Sequence, residues 1–137
     1  MTLYLDTSVL ISLFHEDGHT QRVTDWIAAV DRFVFSTWTV AEFSSALAIQ
    51  SRMRRLADRD RRELELRLDQ WLATRLILPV AEGDVIEARR LIRADPRLRA
   101  PDALHLAVIA RNDCVLATLD EGMGRSARDL GLTTVIP

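Results

Sequence analysis

Hydrophobic positions along the chain follow two kinds of pattern. Short apolar runs rich in leucine, valine and aromatic residues predict buried strands at residues 2–5, 33–36, 76–80, 115–119 and 133–136. Between these runs, apolar residues recur at helical spacing, and they predict helices at residues 8–14, 19–30, 39–54, about 58–73, 83–93 and 101–112, with a further short helix before the last strand. Strands that alternate with helices predict an α/β fold around a central, mostly parallel sheet of about five strands.

Composition makes this picture more specific. The chain has 137 residues and no internal repeat or linker, so we expect one domain over residues 1–137. Its single cysteine excludes an internal disulfide and a cysteine-based zinc cage. The N-terminus lacks a basic segment, and no apolar run is long enough to cross a bilayer, so a cytoplasmic location without membrane attachment is expected.

All 18 basic residues are arginine, and the formal net charge is −2. The absence of lysine excludes a Walker A phosphate loop and Schiff-base chemistry. Arginine suits bidentate contact with phosphates. The overall negative charge, however, does not by itself indicate nucleic-acid binding.

The segment HEDGH, from His15 to His19, fits the zinc-protease pattern H-E-x-x-H. That chemistry needs both histidines on one helix face. Asp17 and Gly18 are poor helix formers, and the segment falls between two helical patterns where a turn is needed. We therefore interpret HEDGH as a surface loop and keep the zinc protease as a minor alternative.

Four acidic residues occupy the positions at which a parallel sheet builds a site. Asp6 and Asp120 directly follow apolar strands, so they lie at the carboxyl ends of the sheet, where ligands bind in α/β folds. Glu42 is predicted in the first turn of its helix, and Asp102 opens another helix just after Pro101.

Each of these acids also has a purely structural interpretation. Glu42 completes a T-x-x-E capping box that begins at Thr39, Asp102 complements a helix dipole, and Asp6 and Asp120 are candidate N-caps. However, Glu42 and Asp102 head apolar rows on their helices, which predicts burial, and a buried carboxylate is costly unless it is paired or bound to a metal. Oxygen-only ligands suit Mg²⁺ or Mn²⁺.

The segments around these acids, YLDTS, TVAEFSSAL, APDALHLA and LATLDEG, resemble the four acidic signatures of PIN domains. Their order and their strand or helix context also match, and the resemblance runs from residue 1 to about residue 136. Length and layout are most similar to VapC, the toxin of bacterial VapBC toxin–antitoxin pairs.

This resemblance implies a PIN-like three-layer α/β/α fold and a Mg²⁺- or Mn²⁺-dependent endoribonuclease. It implies that Asp6, Glu42, Asp102 and Asp120 are the catalytic residues and hold the metal, directly or through water, and that the metal activates a water for in-line attack on RNA. It further implies a homodimer and a VapB-type antitoxin whose C-terminal segment covers the site. A non-catalytic module that keeps the acidic pocket to bind a basic partner segment is the alternative.

Several neighbouring residues are candidates for supporting roles. The hydroxyls of Thr7, Ser8 and Thr118 flank the acids and either hydrogen-bond to the site or simply cap helices. Arg97 and Arg99 lead into Asp102 and are candidate RNA-binding residues that would contact phosphates. The arginines between residues 52 and 62 are interleaved with acids, so we interpret them as a solvated helix face.

Overall fold

The computed structural model describes residues 1–137, and it contains five strands and seven helices. The strands are β1 (Leu3–Leu5), β2 (Phe33–Ser36), β3 (Ile77–Leu78), β4 (Val115–Ala117) and β5 (Thr134–Val135). The helices are α1 (Thr7–Phe14), α2 (Thr20–Ala28), α3 (Thr37–Arg52), α4 (Asp58–Leu72), α5 (Glu82–Ala94), α6 (Ala100–Asn112) and α7 (Glu121–Asp129). Every predicted element is present, with small differences at the ends.

The strands form one sheet in the order β3-β2-β1-β4-β5, and every pairing is parallel. The prediction of a central, mostly parallel, five-stranded sheet is therefore confirmed. The middle strand is β1, which pairs on one side with β2 and on the other with β4. All three of its residues are buried, as expected for a strand covered on both faces.

Helices cover both faces of the sheet and give three layers. Side chains alternate along a strand, so Tyr4 of β1 enters a core formed mainly with α5, α6 and α7, whereas Leu5 enters the opposite core. That opposite core includes Val9 of α1 and Val23 of α2, and the α3–α4 pair extends it. None of the helices combines the length and the hydrophobicity needed to cross a membrane.

The HEDGH segment is a turn between two helices, as the sequence predicts. Helix α1 ends at Phe14, with His15 as its C-cap, and α2 begins at Thr20, with His19 as its N-cap. Asp17 holds the turn, because its carboxylate accepts hydrogen bonds from Ser12 Oγ (2.7 Å) and from the backbone N–H of His19 (2.7 Å). The two histidines therefore do not lie on one helix face, which removes the basis of the zinc-protease interpretation.

Candidate active site

The sheet order creates a natural site between β1 and β4. These strands are neighbours, although their chain connections lead away to opposite halves of the sheet, and such a switch point is where α/β folds bind ligands. Asp6 directly follows β1, and Thr118 and Asp120 follow β4. The backbone N–H of Asp6 donates to Ala117 O (3.2 Å), so the two strand ends are held side by side.

The Asp6 side chain is buried and fully hydrogen-bonded. Its Oδ1 accepts from Ser8 Oγ (2.6 Å) and from the backbone N–H of Val9 (3.1 Å), and its Oδ2 accepts from Thr118 Oγ1 (2.5 Å). Burial raises the pKa of Asp6 above its ordinary value, and the Ser8 and Thr118 hydroxyls oppose that rise. Asp6 is thus the N-cap of α1 and also a carboxylate held in one orientation at the switch point.

Glu42 lies one turn deeper in its helix than the sequence predicts. The true N-cap of α3 is Ser36, the last residue of β2, and its side chain accepts from the backbone N–H of Thr39 (3.2 Å). Thr39 Oγ1 accepts from the Ser36 N–H in return (3.3 Å), which completes the capping box. Helix α3 therefore begins at Thr37, and the prediction that Glu42 lies in the first turn is wrong. The alternative interpretation, in which Glu42 closes a capping box with Thr39, fails for the same reason.

This shift frees the Glu42 carboxylate from a capping role. Its Oε2 accepts from Thr7 Oγ1 (2.9 Å) and lies 3.3 Å from His105 Nε2, whereas its Oε1 is buried without any hydrogen-bond partner. Burial raises the pKa of Glu42, but the contacts with His105 and Thr7 outweigh that effect, and the pKa lies below its ordinary value. A buried carboxylate oxygen without a partner is costly, so it marks a place where a ligand would be stabilising.

His105 connects this carboxylate to the core. It lies on α6 with 2% of its side chain exposed, and its Nδ1 is 2.7 Å from the Tyr4 hydroxyl. The same hydroxyl contacts Ser36 Oγ (2.7 Å) and Thr39 Oγ1 (3.1 Å). A buried polar network therefore runs from the sheet through His105 to Glu42.

Neither His105 nor Tyr4 was among the candidate site residues predicted from the sequence. The available signal was a single phenol inside an apolar strand, because a buried tyrosine hydroxyl normally has a hydrogen-bond partner. The identity of that partner depends on how α6 packs against β1. No local sequence pattern reveals that packing.

Asp102 and Asp120 form the solvent-facing side of the site. Asp102 lies in the first turn of α6, as predicted, with 23% of its side chain exposed. Asp120 is the N-cap of α7, where Oδ1 accepts from the backbone N–H of Met123 (3.0 Å). The two acids line one cavity of about 210 Å³.

The acids also interact electrostatically. Burial raises the pKa of Asp102, the nearby Arg99 guanidinium opposes that effect, and the negative charges of Asp120 and Glu42 add to it. The net result is a pKa above the ordinary aspartate value. Negative charges that raise the pKa of a neighbouring carboxyl group are offset by a bound cation.

Arg97 and Arg99, the two candidate RNA-binding residues, differ in their surroundings. The Arg97 guanidinium is engaged by two carboxylates, those of Asp95 (2.8 Å) and Asp129 (2.7 Å). Arg99 is 80% exposed, and its Nε lies 3.8 Å from Asp102 Oδ2. Arg99 is therefore available to a ligand beside the acids, whereas Arg97 would first have to give up two ion pairs.

The arrangement fits a hard divalent cation in its chemistry. The side chains offered are carboxylates, and one of them has an oxygen that lacks a partner. No three acidic or histidine side chains are close enough to chelate an ion as they stand. The four acids are thus gathered at one edge of the sheet but not drawn together around a single point.

The sequence matches the PIN domain family over residues 3–129. The chain belongs to the PIN domain family. A comparison with curated protein sequences gives no significant match.

Solved structures show the same fold at low sequence identity. FitAcB from Neisseria gonorrhoeae superposes with a TM-score of 0.74 at 22% identity, over 96% of this PIN domain and 95% of that chain. VapC20 from Mycobacterium tuberculosis, a sarcin–ricin loop-cleaving toxin, gives 0.73 at 18%, over 98% and 99%. A toxin–antitoxin complex from Klebsiella pneumoniae gives 0.69 at 19%, over 97% and 95%. The predicted PIN-like fold is therefore confirmed.

Proposed function

We propose that this PIN domain is a Mg²⁺- or Mn²⁺-dependent endoribonuclease and the toxin of a type II toxin–antitoxin pair. The observation that carries the proposal is the gathering of Asp6, Glu42, Asp102 and Asp120 at the switch point of the sheet. The structural likeness to a loop-cleaving toxin and to a toxin–antitoxin complex supports it.

Two of the four acids would hold the cation from within helices, Glu42 of α3 and Asp102 of α6, and two from helix N-caps, Asp6 before α1 and Asp120 before α7. Asp6 and Glu42 are positioned by hydroxyls, those of Ser8 and Thr118 for the first and of Thr7 for the second. A bound divalent cation supplies charge neutralisation at the phosphodiester and lowers the pKa of a nearby water.

The chain's own residues restrict how this site can move. Thr118 Oγ1 donates to Asp6 and also accepts from the backbone N–H of Asp120 (2.9 Å), so one hydroxyl couples two of the acids. The Glu42 Oε2 atom is held by Thr7, whereas Oε1 is buried and has no hydrogen-bond partner of its own. Asp102 and Asp120 line the open cavity and are the acids that an entering RNA strand would meet first.

The proposal includes two protein partners. An antitoxin of the VapB type would cover the acidic site with a C-terminal segment. A homodimer is proposed as well, and an exposed apolar groove of about 400 Å³ between α3, α5 and α6 supports it. Trp38, Val85, Ile92 and Leu104 line this groove.

A cleavage assay tests the enzymatic function. The purified chain, freed of any bound partner, is incubated with total bacterial RNA in Mg²⁺, Mn²⁺, Zn²⁺ or EDTA, beside the Asp102→Asn variant. The proposal predicts discrete products in Mg²⁺ or Mn²⁺ that are absent in EDTA and in the variant. Intact RNA under every condition, from folded protein, would favour the non-catalytic module that binds a basic segment in the same pocket.

A further inference from the structure

Two cavities flank Asp120, one on each side. The first is the cavity of about 210 Å³ that Asp120 shares with Asp102, Arg97 and Arg99. The second is larger, about 370 Å³, and lies between α2, α7 and β5; we call it the α2–α7 cavity. Its lining includes His19, Arg22, Thr118, Asp120, Arg125 and Arg128. Asp120 and Arg125 line both cavities, so the second one adjoins the acidic site.

The arginines of the α2–α7 cavity have no acidic partner. No carboxylate oxygen lies within 4.0 Å of the guanidinium of Arg22, Arg125 or Arg128, in contrast to six other arginines that do form such pairs. Arg22 contacts His19 Nδ1 (3.2 Å), and Arg128 donates to Thr134 Oγ1 (3.0 Å). Three exposed guanidiniums therefore line one space, and none of them is part of an ion pair.

Their positions define two walls. Arg125 and Arg128 are three residues apart on α7, so they project from the same face of the helix about one turn apart. Arg22 and His19 approach from α2 and the turn that precedes it. Glu121 is the second acid in the lining beside Asp120, which leaves the cations in excess.

We propose that the α2–α7 cavity binds the phosphate backbone of the RNA strand on the side of Asp120 away from Arg97 and Arg99. This inference rests on the proposed function, because it names the path of the substrate from the same acids. Arginine forks recognise phosphate oxygens bidentately, and cationic grooves that track the backbone are how proteins hold single strands. A strand cut beside Asp120 must continue past it, and this cavity provides the adjoining cationic surface.

The lining favours RNA over a protein segment as the occupant. A docked peptide is normally anchored by apolar or aromatic side chains in a dry pocket. Here Leu119 and Ile136 are the two apolar side chains, whereas arginine, threonine and acidic residues form most of the lining. Such a surface suits a polyanion whose contacts are mainly to phosphates.

The test is a binding experiment that does not depend on cleavage. Binding of the full chain to a short labelled single-stranded RNA is measured by fluorescence anisotropy over a range of salt concentrations in EDTA, with RNA integrity checked on a gel. Arg22→Gln, Arg125→Gln and Arg128→Gln are compared with the native chain and with Arg125→Lys. The matched control is Arg59→Gln, since Arg59 is an exposed residue of α4 that lines none of these cavities. Thermal melting confirms that each variant is folded.

Each glutamine variant is expected to bind RNA severalfold more weakly, equally for oligo-U and oligo-A, because phosphate contacts carry no sequence information. The slope of log affinity against log salt is expected to fall by about 0.7 for each phosphate contact removed from a single strand. Arg125→Lys is expected to keep the native slope, and Arg59→Gln to keep both affinity and slope.

Three results would overturn the proposal: native slopes in all three glutamine variants, an equal loss in Arg59→Gln, or no binding by the native chain. Unchanged RNA binding would leave a protein partner as the candidate occupant. If the arginine variants lose salt-dependent binding but the native chain cuts no RNA in Mg²⁺ or Mn²⁺, the α2–α7 cavity binds RNA and the ribonuclease function is refuted. If the native chain cleaves RNA but its arginine variants bind RNA normally, the ribonuclease function stands and the role of the α2–α7 cavity is refuted.

Discussion

The hydroxyl of Tyr4 lies 2.7 Å from His105 Nδ1 in the interior of the protein. Tyr4 is two residues before Asp6 on the central strand, and His105 is three residues after Asp102 on α6. The other ring nitrogen of His105 lies 3.3 Å from Glu42 Oε2. These two contacts thus tie together α3 and α6, which carry Glu42 and Asp102, and the strand that Asp6 directly follows.

Removal of the Tyr4 hydroxyl is expected to loosen the site without unfolding the chain. In Tyr4→Phe the ring still fills its buried position, but His105 loses the partner of Nδ1 and no longer holds Glu42 in one orientation. Loss of such supporting contacts around a metal site typically lowers activity by about 10-fold to 100-fold, so we expect an RNA-cleavage rate reduced by that factor.

The control for Tyr4→Phe is Cys114→Ala. Cys114 is buried in the same core, just before β4 and away from the acids, so its truncation lowers stability without touching the site. The expected result is near-native cleavage by Cys114→Ala. A native rate in Tyr4→Phe, or an equal loss in both variants, would show that the hydroxyl does not position Glu42.

Thr118 gives a second test, because its hydroxyl joins two acids. Thr118→Val keeps the shape of the side chain but removes the donor to Asp6 and the acceptor for the Asp120 N–H. We expect cleavage to fall about 10-fold or more in Thr118→Val and to recover largely in Thr118→Ser, which restores the hydroxyl. Equal rates in the valine and serine variants would assign Thr118 to packing alone.

The sequence predicted the fold well because its signals are local. Apolar runs and helical spacing identified every element, and Asp6 and Asp120 were recognisable because each follows an apolar strand. Their meeting depends on β1 and β4 being neighbours, which only the sheet order establishes. The resemblance to PIN domains supplied that step before the structure did.

Details that depend on partners distant in sequence were missed. The start of α3 was predicted too late in the sequence because Thr39 and Glu42 fit a capping pattern. In the structure, Ser36 at the end of β2 is the N-cap instead. Arg22 and Arg125 carry no signal at all in the sequence, because an exposed arginine on an amphipathic helix is the ordinary case. Their shared cavity exists only because the fold brings residues of α2 and α7 to the walls of one space.

Asp84 predicts how stability depends on pH. Its buried carboxylate accepts from Arg111 Nε (2.7 Å) and Nη2 (2.8 Å) and joins α5 to α6. The hydrogen bonds from Arg111 hold the pKa of Asp84 below its ordinary value, despite the opposing effect of burial. Because the folded-state pKa is lowered, this contribution is fully present above about pH 4, the unfolded value, and is lost as the pH falls through the folded-state pKa.

Asp84→Asn is therefore expected to lower the free energy of unfolding by about 2 kcal/mol at pH 7, the scale of hydrogen bonds to a charged group. Urea denaturation is measured at pH 7 and near pH 3. The difference in free energy of unfolding between the native and variant proteins should be smaller at the lower pH. Glu87→Gln, on the same helix with an exposed partner in Arg90, should change stability little at either pH. A difference for Asp84→Asn that does not vary with pH would contradict this explanation.

Direct measurement of Mn²⁺ binding tests the central claim, that the gathered acids form one site for a divalent cation. Electron paramagnetic resonance would follow free Mn²⁺ during titration of the native chain, Asp102→Asn and Asp113→Asn. Asp113 lies at the other end of α6 in a left-handed conformation that asparagine also tolerates, so it is a matched control. We predict saturable binding by the native chain and by Asp113→Asn, and loss of that binding in Asp102→Asn. Equal binding by all three proteins, or none by a native chain that still cleaves RNA, would contradict the account.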